Sequence, residues 1–423
     1  MFRRHWSGLP KDAAFPSDLK GLGYFINDKD EIRSIENPDN YFNFYLDRNE
    51  RINQRQRFQF DTALVEIIHR RLKDQGLQKM RLPLGSGPSD RHVPIFVSPD
   101  VSAKSRVVVV LGEPTQKLGL LAGRVANGPG GIDKGSMVSV VREIRRQKST
   151  ASDPSPPGVV LANTGELYWW PRGQRALTVS DSAAVPLPSL VHAGVKYVDG
   201  VNDVPGNKNP EQHVAYVFDE VLRTMMSKDC RVSVVAIGQS CELVARFLDS
   251  TAAWERWCEH LDAALLLGTV YPVEDLANDA LKTFLARKSR GYILSSDPLD
   301  APLAPPSGHP AENIPPLGCP CYSSGESSYT ENILIRALAP ALGYLEHVAT
   351  TPDYHNGDIV VVERPQEDIN QDDWAKVPDG DKPTITAVGA NRIKEEVRMA
   401  KRWRRAVRTG EAPDTDSSDE DFS

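Results

Sequence analysis

Long apolar runs are missing from this sequence. Nothing in its 423 residues approaches eighteen consecutive apolar positions, so no segment is a candidate for a membrane-spanning helix. The first residues, Met1-Phe2-Arg3-Arg4-His5-Trp6, lack an apolar leader segment, and a non-secreted chain is expected. Cysteine is scarce and odd in number: five residues, which argue for a reducing compartment and against a disulfide framework. Cys319-Pro320-Cys321 has C-x-C spacing without a second cysteine pair or a nearby histidine, so strand cysteines are expected and no metal. The glycines Gly128, Gly130, Gly131 and Gly135 precede a helix, yet the P-loop Lys-Ser/Thr pair and a G-x-G-x-x-G run are both lacking. They read as a mobile loop over a sheet, and no cofactor is expected. Positive charge is also short: 50 Lys and Arg stand against 57 Asp and Glu, a net charge of -7, which gives no bulk attraction to nucleic acid or anionic lipid. Between residues 20 and 350 no dense Lys/Arg stretch interleaves with aromatics.

What is present is an alternation of strands and helices. Val107-Val108-Val109-Val110-Leu111 reads as a strand buried on both faces, and Val159-Val160-Leu161-Ala162, Val232-Ser233-Val234-Val235-Ala236-Ile237 and Ala263-Ala264-Leu265-Leu266-Leu267-Gly268 read as further strands. Tyr292-Ile293-Leu294-Ser295 and Pro320-Cys321-Tyr322-Ser323 read as two more. Helices are expected from about Ile52 to Asp74, Met137 to Arg146, Asn209 (as cap) to about Met226, Ala253 to His260, and Glu331 to Tyr344. This spacing predicts an α/β fold with a doubly wound, mostly parallel sheet, whose sites lie at the carboxyl ends of the strands. Ahead of it, Tyr24-Phe25-Ile26-Asn27 and Glu31-Ile32-Arg33-Ser34-Ile35 read as a β-hairpin, and Tyr41 to Leu46 as a third short strand. The domain plan is a flexible arm at 1 to 17, the core at 18 to 362, and a linker at 363 to 390. A basic amphipathic helix at 391 to 408 and an acidic disordered tail at 409 to 423 complete it. In that helix Lys401-Arg402 and Arg404-Arg405 read either as a nuclear import signal or as a solvated charged face.

The stretch Val232 to Leu248 carries the chemistry. Its strand, its turn Gly238-Gln239-Ser240-Cys241-Glu242 and its helix have the layout of the G-x-S-x-G nucleophile elbow, with Ser240 as the nucleophile and helix-terminal amides ready to hold an oxyanion. Glu242 departs from the pattern, since the last position of the motif is small where strand and helix crowd together. The triad acid should follow a later strand, where Asp297 stands, with Asp300 as a near alternative. The base should lie between the last strand and the last helix, but Ser323 to Thr330 holds no histidine. His309 precedes that loop, and His347 and His355 follow the expected end of the last helix. Tyr329 cannot serve, because a phenol with a pKa of about 10 is a poor proton acceptor near neutral pH. His213, in the first turn of its helix, reads as a packed or rim histidine. Tyr168-Trp169-Trp170-Pro171 reads either as a partner-binding aromatic patch or as packing of an insertion.

Several segments in one order resemble the Arb2 domain family. They are Tyr24-Phe25-Ile26-Asn27 with Ile32-Arg33, Gly-Gly-Ile-Asp-Lys-Gly-Ser at 130 to 136, and Pro210-Glu211-Gln212-His213-Val214. The elbow and Ser295-Ser296-Asp297-Pro298-Leu299-Asp300 complete the order. The resemblance covers roughly residues 18 to 348. The family is named for a subunit of the fungal argonaute siRNA chaperone complex, and related domains occur at the C-terminus of fungal class II histone deacetylases and in animal cotranscriptional regulators. Some relatives have a histidine a few residues after the Ser-x-Gly that matches Ser323-Ser324-Gly325, and Tyr329 stands in that place here. The resemblance implies an α/β-hydrolase-like fold with a degenerate site. Ser240 and Asp297 would be vestigial catalytic residues, and Gly238, Gln239, Cys241, His213, Tyr329 and Asp300 would line a pocket or partner surface. It implies protein partners of the argonaute or histone deacetylase machinery and a nuclear and/or cytoplasmic location in gene silencing, while the missing basic stretches predict RNA contact that is weak or indirect and the missing apolar runs predict no membrane. The alternative is an active serine esterase or acyl hydrolase using Ser240, Asp297 and a histidine recruited from 347 or 355.

Overall fold

The chain enters through a hairpin, β1 (Tyr24–Ile26) and β2 (Ile32–Ser34), whose turn is tightened by Asp30 at φ +63°. The structure is a computed structural model and describes residues 8 to 191, 196 to 268, 271, 273 to 310, 313 to 359 and 361. The linker, basic helix and acidic tail expected beyond 362 lie outside the described residues. The long helix α1 (Glu50–Asp74) follows, capped by Asn49, whose side chain accepts from the Arg51 amide. Two antiparallel strands come next, β3 (Gln78–Leu82) and β4 (Val93–Val97).

The centre of the sheet starts with β5 (Arg106–Leu111). After it come the short helical turns α2 (Gly123–Ala126) and α3 (Gly131–Lys134), the helix α4 (Met137–Ile144), and β6 (Gly158–Ala162). An insertion adds the hairpin of β7 (Tyr168–Trp170) and β8 (Arg175–Leu177), with α5 (Val179–Ala184). Then α6 (Pro210–Tyr216) runs through a π-helical stretch, Val217–Leu222, into α7 (Arg223–Met225) and on to β9 (Arg231–Ile237). The remainder is α8 (Ser240–Asp249), α9 (Thr251–Trp257), β10 (Leu261–Leu267), α10 (Asp279–Lys288), β11 (Ser289–Ile293), β12 (Pro302–Ala304), β13 (Cys321–Ser323) and α11 (Ile333–Thr350).

Nine of these strands make one sheet in the order β12-β13-β11-β10-β9-β5-β6-β4-β3. From β13 to β6 all neighbours are parallel, while β4 and β12 are antiparallel to the strands they join. The fold is therefore an α/β-hydrolase-like, doubly wound and mostly parallel sheet with an N-terminal hairpin extension. Every residue of β5 and β6 is buried because helices cover both faces. Side chains alternate across the pleat. Val108 and Val110 face α1, α4 and α11, whereas Val107 and Val109 face α6, α8 and α10.

Four expectations need correcting. Tyr41 to Leu46 is not a strand: Phe42 instead stacks on Phe60 of α1 with ring centroids 3.7 Å apart, and Tyr45 is exposed. The glycine-rich segment before α4 is folded rather than loose, with Gly131 at φ +78° where a Cβ would meet the Asp30 carbonyl oxygen at 2.5 Å. The arm is fastened from residue 8 on. Asp12 accepts from both Arg51 (Nη2, 2.6 Å) and the Leu187 amide (2.8 Å), and the Leu190 amide donates to the Pro10 carbonyl. The last helix reaches Thr350, so His347 sits inside it. The described residues from 8 to 359 belong to one compact unit.

Candidate functional site

The parallel strands bring Gly112, Gly238 and Gly268, together with the loops after β11 and β13, to one edge of the sheet. This is the carboxyl edge, where such sheets hold their sites. The elbow stands there as read from the sequence: Gly238 takes φ +59°, and α8 starts at Ser240. Glu242 causes no crowding, because it is only half-buried and accepts from Arg246 Nε (2.7 Å) one turn along α8. The departure at the end of the motif is thus accommodated by pointing the side chain outward.

Ser240 is fully buried, and its hydroxyl donates to the Gly112 carbonyl at the end of β5 (2.5 Å). That same carbonyl accepts from Thr164 Oγ1 (2.7 Å). Cys241 is also buried; its amide donates to the Gly238 carbonyl (3.1 Å) and its thiol to the Ala236 carbonyl (3.2 Å). In a working elbow the amide after the serine and an amide from the loop after the neighbouring strand together hold the oxyanion. Here the loop after β5 presents a carboxylate instead. Glu113 Oε2 accepts from the Gln239 amide (3.0 Å), and it lies 1.3 Å from where a Cβ on Gly238 would be. Burial holds the Glu113 carboxyl above the usual carboxylate range, opposed by the hydrogen bond from Gln239. The void beside Gly112 and Glu113 measures about 10 Å³, room for one water at most. The elbow therefore has a carboxyl group on the amide before its serine, and the serine already has an acceptor.

The other candidates are dispersed. Asp297 follows β11, and its carbonyl accepts from Ser323 Oγ (2.8 Å) while its amide donates to Ser295 Oγ (3.0 Å). Asp300, at φ +64°, accepts from Tyr292 Oη (2.7 Å) and pairs with Arg290 (3.4 Å) on the flank of β11. His309 lies beyond β12 in a bridge to Ile314. The loop between β13 and α11, where the base belongs, is organised by Glu326. Its carboxylate accepts from the Ser328 and Tyr329 amides and from Asn332 Nδ2 (3.0, 3.2 and 3.3 Å), and the first of these chiefly lowers its pKa. Tyr329 is 45% exposed, with the Arg124 guanidinium 4.3 Å over its ring. The start of α11 adjoins Gly268 at the carboxyl edge, and Ile333 Cδ1 lies 3.1 Å from a Cβ placed there. Its far end lies at the opposite edge, where Arg106, first residue of β5, donates to the Leu345 carbonyl (2.9 Å). His347 belongs to that end. His355 does too, since its neighbour Asn356 bonds the carbonyls of Arg287 and Ser289 at the start of β11. Neither histidine reaches Ser240.

His213 is structural. It is fully buried, its Nε2 accepts from the Asn163 amide (3.0 Å), and its Nδ1 donates to Asn207 Oδ1 (2.7 Å), so desolvation pushes its pKa down to about 3. Trp169 is buried beside Val93, Leu167 and Val204, which settles the Tyr-Trp-Trp run as packing of the insertion. Sequence reasoning missed Glu113 and Thr164. The available signal was a carboxylate two residues past the end of a buried strand, at the place where the oxyanion loop belongs.

The Arb2 domain pattern matches residues 15 to 299. No curated protein matches the chain. Among solved structures it is similar to a histone deacetylase from Saccharomyces cerevisiae, with 10% identity and a TM-score of 0.38, over 68% of this chain and 96% of that one. It is also similar to the esterase Est22, with 12% identity and a TM-score of 0.29, over 73% of this chain and 98% of that one. Matched over more than half of its length, the chain belongs to the Arb2 domain family.

Proposed function

We propose that this protein is a non-catalytic, α/β-hydrolase-like scaffold or binding subunit in small-RNA-directed heterochromatin formation and gene silencing. It works through protein partners of the argonaute or histone deacetylase machinery, in the nucleus and/or the cytoplasm, and its own RNA contact is weak. The observation that carries the non-catalytic reading is the Glu113 carboxylate on the Gln239 amide, beside a buried Ser240 that donates to Gly112. Acyl transfer needs a base for the serine proton and donors for the oxyanion. At this elbow an acid, Glu113, accepts from the amide before the serine, and Tyr329 stands where the base belongs. With the chemistry closed, the surface of the fold is what remains to be used, and membership of the Arb2 family favours association with other proteins. Affinity purification of the full chain from native cells tests the partner class; argonaute or deacetylase subunits are expected among the retained proteins. Labelling by a fluorophosphonate probe that depends on Ser240 would overturn the non-catalytic reading in favour of a serine esterase. Tight, sequence-independent binding of small RNA at physiological salt would overturn the protein-partner reading.

A further inference from the structure

Away from the elbow, a cleft of about 750 Å³ lies between α1, the edge strand β3 and the β8–α5 segment of the insertion, a size typical of ligand pockets. Its acids are largely engaged with internal donors. Lys117 Nζ bonds Asp61 Oδ2 (3.1 Å) and Asp181 Oδ1 (2.8 Å), and Glu166 Oε2 accepts from the Leu118 amide (2.9 Å) and Asn163 Nδ2 (3.1 Å). Four cations line the walls: Lys73 from the last turn of α1, Lys79 and Arg81 two residues apart on one face of β3, and Arg175 from β8. None of the four forms an ion pair among the described residues. Lys79 Nζ donates to Nδ1 of His69, which is held neutral with its Nε2 proton on the Leu118 carbonyl (3.2 and 2.9 Å). Arg175 donates to Thr62 Oγ1 (3.3 Å) and stacks over Phe58. Against these four, Glu66 is the one acid of the wall without an internal partner among the described residues.

We propose that this cleft binds a compact ligand carrying phosphate groups, gripped by Lys79 and Arg81 and enclosed by Lys73 and Arg175. Two guanidinium forks and two ammonium groups line the cleft from three elements. That arrangement suits a tetrahedral, multiply charged group better than one planar carboxylate. Same-sign crowding is already felt: the Lys79 ammonium is lowered by desolvation and then, against the pull of Glu166, by Lys73, Arg175 and Arg81. An anion seated among them would relieve that repulsion. The cleft shares only Lys117 with the lining of the void beside Gly112 and Glu113, so the proposal stands whatever the elbow does.

The test is calorimetric titration of the full chain with inorganic tripolyphosphate at physiological salt, beside the variant carrying Lys79→Gln and Arg81→Gln. Both side chains are exposed, so the variant should melt like the parent by circular dichroism. Saturable binding at one site is expected, weakened at least about tenfold in the variant, with tripolyphosphate raising the melting temperature of the parent only. The proposal fails if binding is absent or equal in both proteins. It also fails if citrate binds as well as tripolyphosphate, which would make the cleft a carboxylate site. It fails again if single-stranded RNA competes with an affinity that grows with its length, which would make the cleft part of a nucleic-acid track.

Discussion

Replacing Gly238 by alanine tests whether Glu113 plugs the elbow. Gly238 has φ +59°, and a Cβ there would stand 1.3 Å from Glu113 Oε2 and 2.6 Å from its carboxyl carbon. Two costs arise. The left-handed backbone alone costs an alanine roughly 1–2 kcal/mol. The collision is with the far end of a flexible side chain, so Glu113 must swing away and lose its hydrogen bond from the Gln239 amide (3.0 Å). A bond to a charged acceptor contributes roughly 1.5–3 kcal/mol, so Gly238→Ala should cost roughly 2.5–5 kcal/mol in all. Glu113→Ala removes the obstacle beforehand, and Gly238→Ala added to it should cost only the backbone part. The double variant should therefore be less destabilised than the sum of the singles by about 1.5 kcal/mol or more. Urea unfolding of the four proteins, followed by tryptophan fluorescence, measures this coupling. Costs that add to within about 0.5 kcal/mol would refute the plug.

Burial raises the Glu113 pKa from 4.5, so the native state holds a proton that the unfolded chain has released, and this residue lowers stability as pH rises above 4.5. Glu113→Gln keeps an acceptor for Gln239 and removes that penalty; its stability relative to the parent should grow from pH 4.5 upward, and a shrinking gap would contradict the assignment. His69 and His213 are both pushed down to about 3, His69 by desolvation and then Lys79, His213 by desolvation. The unfolded chain takes up protons below about 6.5 that the native state refuses, so each should remove up to about 1.4 kcal/mol per pH unit as pH falls. A urea midpoint that stays flat from pH 6.5 to 5 would count against this. Ser240→Ala should cost about 1 kcal/mol or less, since Thr164 still donates to the Gly112 carbonyl, and it should leave turnover of short-chain nitrophenyl esters unchanged.

The central strands were legible because burial on both faces demands runs of β-branched residues, and β5, β9 and β10 have them. The strands of the large sheet that sequence reasoning missed lie toward its two edges, Pro302–Ala304 at one and Gln78–Leu82 with Val93–Val97 at the other. Gln78–Leu82 is polar at most positions because only part of an edge strand is covered, and Val93–Val97 contains Pro94. Those same polar positions, Lys79 and Arg81, line the cleft beside α1, so the features that hid the strand are the ones that give the cleft its positive charge. Tyr41 to Leu46 has the aromatic composition of a strand but no partner to pair with, and Phe42 gains more by stacking on Phe60. The fastening of the arm through Asp12 was invisible because its partners, Arg51 and Arg55, are about forty residues away. The last helix was expected to end at Tyr344, whereas it continues to Thr350 on the packing of Leu345 and Val348.

At the elbow the three departures from a working hydrolase carry unequal weight. Glu242 was visible in the sequence and matters least, since it points to solvent and pairs with Arg246. Tyr329 was visible too, and it removes the base. Glu113 was not visible, because it lies 126 residues before Gln239 and only the adjacency of β5 and β9 brings the two together. It is nevertheless the strongest obstacle. A base can in principle be supplied from solvent or from a neighbouring loop, but an anion developing beside a fixed carboxylate is opposed for as long as that carboxylate is ionised. A histidine restored at position 329 would still face a serine that donates to Gly112 and an oxyanion loop that ends in an acid. The elbow persists for a different reason: it is the joint that turns β9 into α8. Gly238 supplies the left-handed turn and Cys241 ties the helix back to the strand, and neither role needs the serine to react.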